Sequence, residues 1–398
     1  MKKGWERKKV SEIAKHSLGK MLDKAKNKGE PKPYLRNLNV RWFDFDLSDV
    51  LEMRFLPEEA ARYTAVKGDV LICEGGYPGR AAIWEQDEPI YFQKALHRVR
   101  FHEPERSKWF LYHLLSKDLD GTLKSHFNGA GIQHFTGEAL AQFEVPLPSL
   151  PEQHRIVGIL DEAFEGIATA KANAEKNLQN ARALFESHLQ SVFTQRGDGR
   201  IEKTLDDVCQ QITDGKHGDC KNEMNSGFWF LSAKDVKAGT LNYDKARQIT
   251  RADFEETHRR TNLEPGDILI TNSGTIGRMA IAPADERTTR TTFQKSVAIL
   301  KPLKSAIDSS YMYFCLSSGL TRFVNLSAGA AQKNLLLRDL RSYRFAMPKS
   351  LDHQRSVAGK LDSLTEETQR LESVYQRKLA ALEELKKSFL HQAFSGQL

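Results

Sequence analysis

Few residues of this 398-residue chain invite a chemical reading. Cys209, His217 and Cys220 form a C-x7-H-x2-C arrangement, three ligands where a structural zinc site takes four. Inside it, Asp214-Gly215-Lys216-His217-Gly218-Asp219 gathers acids, bases and glycines, the composition of a polar turn. The chain has no G-x-x-x-x-G-K-[ST] phosphate loop, no H-E-x-x-H zinc motif and no Asn-Pro-Pro-aromatic methylation motif. No glycine-rich nucleotide fingerprint follows a strand, and spacing gives His134 and Lys94 no nucleophile partner. These residues describe a protein that binds rather than one that turns over a substrate.

A different pattern suits binding. Gly68-Asp69-Val70-Leu71-Ile72 leads through Gly76 and Gly79 to Arg80, and Gly266-Asp267-Ile268-Leu269-Ile270 leads through Gly274 and Gly277 to Arg278. Each reads as a strand, a glycine-rich loop and a basic residue. Such a loop is either a tight hairpin whose glycines take positive φ, or a place where backbone and arginine approach a phosphate. Phe92-Gln93-Lys94 and Phe293-Gln294-Lys295 repeat likewise, with amide and ammonium groups that suit either DNA or a solvated strand edge.

These matches belong to a repeat that runs through the whole chain. Gly129-Ala130-Gly131-Ile132-Gln133 aligns, after a one-residue shift, with Ala328-Gly329-Ala330-Ala331-Gln332, and Pro148 and Arg155 precede Pro348 and Arg355 by 200 residues. Each copy opens with short β-rich runs, such as Asp69–Cys73 and Leu96–Phe101, with a helix predicted at Ser107–Leu115. Residues 19–32, rich in Lys, Gly, Asn and Pro, read as an exposed basic loop.

Each copy closes with a long helix. After Pro146, Pro148 and Pro151, apolar or small residues recur at steps of four and three: Leu160, Phe164, Ile167, Ala174, Leu178, Ala181, Phe185 and Val192. Lys171 and His188 interrupt that seam. The last stretch places Val357, Leu361, Leu364, Leu371, Tyr375, Leu382, Leu385 and Phe389 at the same steps, interrupted by Thr368 and Lys378. A 3.5-residue period held this long needs another helix to pack on, so each helix is the expected partner of the other. At ~1.5 Å per residue, an antiparallel pair of roughly 40-residue helices would make a rod of about 60 Å with related heads near its two ends. The expected fold is α+β, two repeated β-rich domains with an antiparallel coiled coil and pseudo-twofold symmetry. The segments are 1–147 (first head), 148–196 (central helix), 197–347 (second head) and 348–398 (C-terminal helix).

Composition narrows the class of partner. The net charge is +7, with 59 Lys+Arg against 52 Asp+Glu, and the pI is about 9.0. That balance suits a polyanionic partner, and equally a basic protein that binds none. No secretory signal or apolar run of membrane-spanning length is present, so no membrane partner is expected. Cys73, Cys209, Cys220 and Cys315 lack framework spacing and fit free thiols in a reducing cytoplasm.

The order of elements resembles the specificity subunit of type I restriction–modification systems. Carrying the resemblance are Pro146-Leu147-Pro148, Glu152-Gln153-His154-Arg155-Ile156-Val157 and Leu160-Asp161. In the second copy they are Met347-Pro348, Asp352-His353-Gln354-Arg355 and Leu361-Asp362. That copy departs from the pattern: Asp352 stands for Glu, Ser356 for an apolar residue, and one extra residue precedes Leu361. The resemblance implies that each head is a target recognition domain reading half of a bipartite double-stranded DNA site. It implies that the helices set the spacing and dock two methylation subunits, which carry S-adenosylmethionine and the adenine chemistry, and that restriction/translocase subunits join them. This chain would bind no cofactor or metal and catalyse nothing.

If the heads read different half-sites, residues shared by both cannot carry the difference. Gly76, Gly79, Arg80, Gln133, Gly274, Gly277, Arg278 and Gln332 are then scaffold or phosphate contacts. Discrimination is expected where the copies diverge: in head one the basic loop with Lys24 and Lys26, Glu74 to Tyr77, and His134. In head two it is expected at Lys216, His217, Asn272, Ser273, Thr275, Lys333 and Asn334. Gln93, Lys94, Gln294 and Lys295 complete the candidate DNA contacts, since amide and basic side chains pair with base edges. The seam residues Leu160, Phe164, Ile167, Leu178, Phe185, Val192, Leu361, Leu364, Leu371, Leu382, Leu385 and Phe389 are the candidate helix-pairing and docking positions. A stand-alone DNA-binding regulator and a coiled-coil scaffold with protein-binding heads remain as alternatives.

Overall fold

The computed structural model describes residues 4–23, 25–194, 199–237, 239–326 and 334–398. They divide into two compact units, one comprising Met1–Lys176 with Gln376–Leu398 and the other Asn177–Tyr375. Candidate residues Lys24, Gln332 and Lys333 lie outside the described residues.

Unit 1 is built on a four-stranded antiparallel sheet, in the order Ala14–Leu18, Leu96–Phe101, Val70–Cys73, Ala81–Ile83. Its counterpart in unit 2 runs Cys209–Asp214, Val297–Pro302, Ile268–Thr271, Met279–Ile281. The register repeats as well: Val70 faces Ile83 as Ile268 faces Ile281. Val70–Cys73 and Ile268–Thr271 are buried at every position, which explains their uninterrupted apolar sequence. A second small sheet in each unit contains a parallel pair, Ile90–Phe92 with Glu30–Leu35 and Thr291–Phe293 with Trp229–Leu231.

The reading of residues 19–32 as loop is corrected at its end, because Glu30–Leu35 is a strand along Leu51–Phe55. Pro31 and Pro33 fall where that strand has one neighbour, so their missing N–H groups are tolerated. Helices follow the sheets: Arg106–Leu119 in unit 1 and Ser309–Ser318 in unit 2.

The Gly-Asp motif anchors each main sheet. Asp69, 2% exposed, accepts from Arg100 Nε at 2.7 Å and Nη2 at 2.6 Å and from the Val66 N–H at 2.8 Å. Asp267, 4% exposed, accepts from Lys301 Nζ at 2.6 Å and from the Glu264 N–H at 2.8 Å. Burial pushes the Asp267 carboxyl above the usual carboxylate range, against the pull of Lys301. Gly79 and Gly277 adopt φ of +88° and +86°, and a Cβ there would strike Leu123 and Leu320.

The long helices are Leu150–Thr194 and Leu351–Ser395. Each starts with a buried glutamine tied back to the preceding strand. Gln153 Nε2 donates to the Pro148 carbonyl at 2.8 Å. Gln354 Nε2 donates to the Pro348 carbonyl at 2.9 Å, and its Oε1 accepts the Asp308 N–H at 2.9 Å. Asp161 then ties the central helix to its head, accepting from Lys108 Nζ at 2.8 Å and the Tyr112 hydroxyl at 2.7 Å.

Within each unit the two helices run antiparallel. In unit 1, Ile156 and Leu160 share a core with Trp109, Leu390 and Ala393, and Lys171 pairs with Glu383 at 2.7 Å. In unit 2, Leu189 and Leu361 pack with Phe314, flanked by Phe185 and Val192, and Arg182 pairs with Glu372 at 2.6 Å. Ile167 is buried; Phe164, Leu178, Leu371, Leu382 and Phe389 are half-buried.

Leu364 (39% exposed) and Leu385 (44%) fall outside the buried face, a correction to the second seam. Ala358 and Leu390 are buried, while Thr365, Leu379 and Lys386 are half-buried. Thr365 and Lys386 take the places that the sequence reading assigned to Leu364 and Leu385, while Val357 and Phe389 keep their packing. A run of positions spaced by seven can be completed three or four residues on, and here the packed face passes through Leu361, Thr365, Leu382 and Lys386. Lys171, which interrupts the first seam, faces the opposite helix and pairs with Glu383. His188 is exposed.

Candidate nucleic-acid interface

The two repeated motifs of each head meet at one recess. In unit 1 the strand Val70–Cys73 delivers Glu74-Gly75-Gly76, and the turn before Leu96–Phe101 delivers Gln93-Lys94. Asn37 and His134 complete its lining. In unit 2 the strand Ile268–Thr271 delivers Asn272-Ser273, with Lys295 from the matching turn. Asp214, His217, Asn334 and the adjoining leucines complete it. Each recess encloses about 340 Å³.

The frame of the recess is the same in both units. Lys20 bridges Gln93 and Lys216 bridges Gln294, each in parallel. Gly19 and Gly215 precede those lysines, and a Cβ on either would collide with the Gln93 and Phe293 carbonyls. The Glu74 N–H donates to Ala95 at 2.9 Å and its carbonyl accepts from Phe135 at 2.8 Å. Asn272 repeats this with Ser296 at 3.0 Å and Leu335 at 2.8 Å. Locking the backbone on both sides presents the intervening side chain from a rigid support.

The candidate cations sort themselves by partner. Lys94 and Lys295 are exposed and have no acidic partner among the described residues. Arg278 is exposed, and its side chain has no partner among the described residues. Arg80, its repeat equivalent, is half-buried, donates to the Asn37 carbonyl at 3.0 Å and lies 5.2 Å from the Tyr77 ring centroid. Lys216 is mostly buried between Asp253 at 3.1 Å and Glu256 at 3.0 Å, so its charge is satisfied internally. Lys26 is exposed and lies 3.6 Å from Asp23.

The remaining candidates fall into three groups. His134, Ser273 and Asn334 line the recesses, and antiparallel bridges join Asn128 to His134 and Ser273 to Asn334. His217 also lines one, with its ring 3.0 Å from Asp214. Gln93 and Gln294 are half-buried at the turn, while Tyr77, Gln133 and Thr275 are exposed. The Tyr77 hydroxyl donates to Asp118 at 3.3 Å.

Asn37 was not singled out from the sequence, since nothing at its position repeats. The Gly19-Lys20 and Gly215-Lys216 pairs were a readable signal, because each sits at the start of its repeat. The apparent C-x7-H-x2-C cluster dissolves: Cys209 lies in the main core of unit 2 and Cys220 in a separate cluster with Phe230, Ile249 and Phe254. All four cysteines are buried and outside any disulfide. Among the described residues no group of three or more His, Cys, Asp or Glu could hold a metal, and no helix is long and apolar enough to cross a membrane.

Comparison with known proteins agrees with this duplicated plan. The model of the type I restriction modification DNA specificity domain matches twice, at residues 2–179 and 201–381. The type I restriction enzyme EcoBI specificity subunit of Escherichia coli is 23% identical over 348 residues, covering 80% of this chain and 71% of that protein. A chain from a structure concerning complex assembly and conformational transition of the type I R-M system has a TM-score of 0.79 at 19% identity, covering 100% of this chain and 99% of the other. The HsdS subunit from Thermoanaerobacter tengcongensis has a TM-score of 0.61 at 19% identity, with 100% and 98% covered. These two show a common fold. With both halves matched, the chain belongs to the family of type I restriction modification DNA specificity domains.

Proposed function

We propose that this chain supplies the DNA sequence specificity of a type I restriction–modification complex and contributes no catalysis itself. Each head reads one half of a bipartite site in double-stranded DNA. The paired helices set the distance between the half-sites and dock two methylation subunits, and restriction/translocase subunits join that assembly. S-adenosylmethionine belongs to the methylation subunits, and the complex works in the cytoplasm, where the DNA is. The observation that carries this reading is the recess built twice on one backbone frame and lined by unlike side chains. A common frame with different linings is what two readers of different sequences require. Phosphate binding falls to the unpaired cations Lys94, Lys295 and Arg278, and Gln133 is an exposed amide beside the first recess loop.

The test is to map methylated adenines in cells with and without this chain, alongside its methylation subunits. Methylation at one bipartite motif is expected to vanish when the chain is removed. An unchanged map in cells that do methylate adenine would refute the proposal.

A further inference from the structure

The two recesses share a feature that phosphate binding does not explain. At the same point of the repeated frame, each presents a hydrogen-bond acceptor that meets no protein donor among the described residues. In unit 1 it is Glu74, whose carboxylate has no hydrogen-bond or ion-pair partner among the described residues. In unit 2 it is Asn272, 7% exposed, whose Oδ1 is buried without a partner. The buried Asn272 acceptor is costly to leave unmet, the half-buried Glu74 carboxylate is met by water until a ligand displaces it, and a carboxylate beside a phosphate would be repelled. The missing ligand is therefore a donor that carries no negative charge at the point of contact.

On the major-groove face of DNA the base donors are the exocyclic amino groups, N6 of adenine and N4 of cytosine. Resting on the DNA-reading role proposed above, we propose that Glu74 and Asn272 are the specificity-determining residues of their heads, each accepting a hydrogen bond from a base amino group. The side chains divide the two bases. A carboxylate offers only acceptors and matches cytosine N4. A carboxamide offers an acceptor and a donor and matches the N6/N7 edge of adenine. Lys94 and Lys295, exposed at the rim of the same recesses, hold the adjacent phosphate. Unit 1 thus reads a cytosine and unit 2 an adenine at the position facing the recess.

The experiment uses the full chain assembled with its methylation subunits and a pool of random-sequence DNA duplexes. Bound duplexes are sequenced for the wild type, Glu74→Gln and Asn272→Asp, with thermal melting to verify that each near-isosteric variant folds. Glu74→Gln is expected to lower the preference for cytosine at one position of one half-site about tenfold, leaving the other half-site unaltered. Asn272→Asp is expected to shift one position of the other half-site from adenine towards cytosine. Uniform weakening on all sequences, or an unchanged preference, would overturn the assignment. A wild-type complex without any sequence preference would instead remove the DNA-reading role on which it rests.

Discussion

In unit 1 Asp69 is gripped by the two-pronged guanidinium of Arg100, whose side chain stays 41% exposed; in unit 2 Asp267 meets the ammonium of Lys301, 4% exposed. One backbone plan thus hosts a half-solvated pair in one copy and a buried pair in the other. The same divergence recurs in the cores. His97 and His113 occupy positions held in unit 2 by Ala298 and Cys315, all four of them buried. The Arg80 and Arg278 pair shows it at the surface, one folded into the head and the other pointing to solvent. Duplication preserved the hydrogen-bonded frame, while each copy rebuilt the side chains that the frame carries. Identity between repeats is therefore a statement about backbone geometry and not about a shared contact.

The contrast is tested most forcefully at the buried pairs. Asp267→Ala takes the carboxylate from a buried ammonium that keeps only the Asn262 carbonyl at 2.6 Å and Glu264 at 3.9 Å, and is expected to destabilise unit 2 by about 3–5 kcal/mol. Asp69→Ala, whose partner can turn to water, is expected to cost unit 1 less. Denaturant unfolding monitored unit by unit measures both, and equal losses would break the contrast.

Acid comes next. Burial lowers the pKa of His97 to about 4 and of His113 to about 3, both below the ordinary histidine value. The unfolded chain takes up those protons first, so their contribution is intact above about pH 6.5 and lost as pH falls towards 4. Each histidine removes roughly 1.4 kcal/mol per pH unit across that window. Hydrogen exchange at pH 7 and pH 5 is expected to show unit 1 loosening more than unit 2, and His113→Phe to flatten the difference.

The arginines give a smaller, qualitative split. Arg278→Ala is expected to weaken binding to every DNA sequence alike, lowering the slope of log affinity against log salt by about 1 without altering the melting temperature. Arg80→Ala is expected to cost unit 1 about 1 kcal/mol through the lost Asn37 hydrogen bond. A base-selective effect of Arg278→Ala would contradict its assignment to phosphate. Least of all, Leu364→Ala is expected to change stability by less than about 0.5 kcal/mol, against about 2–5 kcal/mol for buried Leu361→Ala. Thermal unfolding of both variants checks that ordering.

The repeat, its strands and the central helix seam were legible because they rest on period and order. Val70–Cys73 had to be buried on both faces, and the alternation from Leu160 to Val192 had to face a partner. The second seam was half legible, since Leu364 and Leu385 outweigh their neighbours Thr365 and Lys386 in hydrophobicity while the helix packs on the latter. The recess was legible as two motifs but not as a place. Lys216 looked free because Asp253 and Glu256, which satisfy it, lie about 40 residues on and join it only through the fold. Asn37 repeats nothing and obeys no period, so only the structure places it; Glu74 and Asn272 were legible as divergent positions, but not as acceptors without a protein donor.

Unit 1 closes its core with Leu390 and Ala393, which follow an intervening stretch, Asn177–Tyr375, that belongs to the other unit. On the ribosome this inverts the order of maturation. Unit 2 is continuous and can fold as it emerges, whereas the head made first must wait for Gln376–Leu398. At ~5–20 residues per second, the roughly 200 residues between Lys176 and Gln376 hold it open for about 10–40 seconds. During that interval the apolar faces of Trp109 and Ile156 stand without their lid. The first head is the last to be finished, and a ribosome stalling before Gln376 would release it as a target for chaperones and proteases.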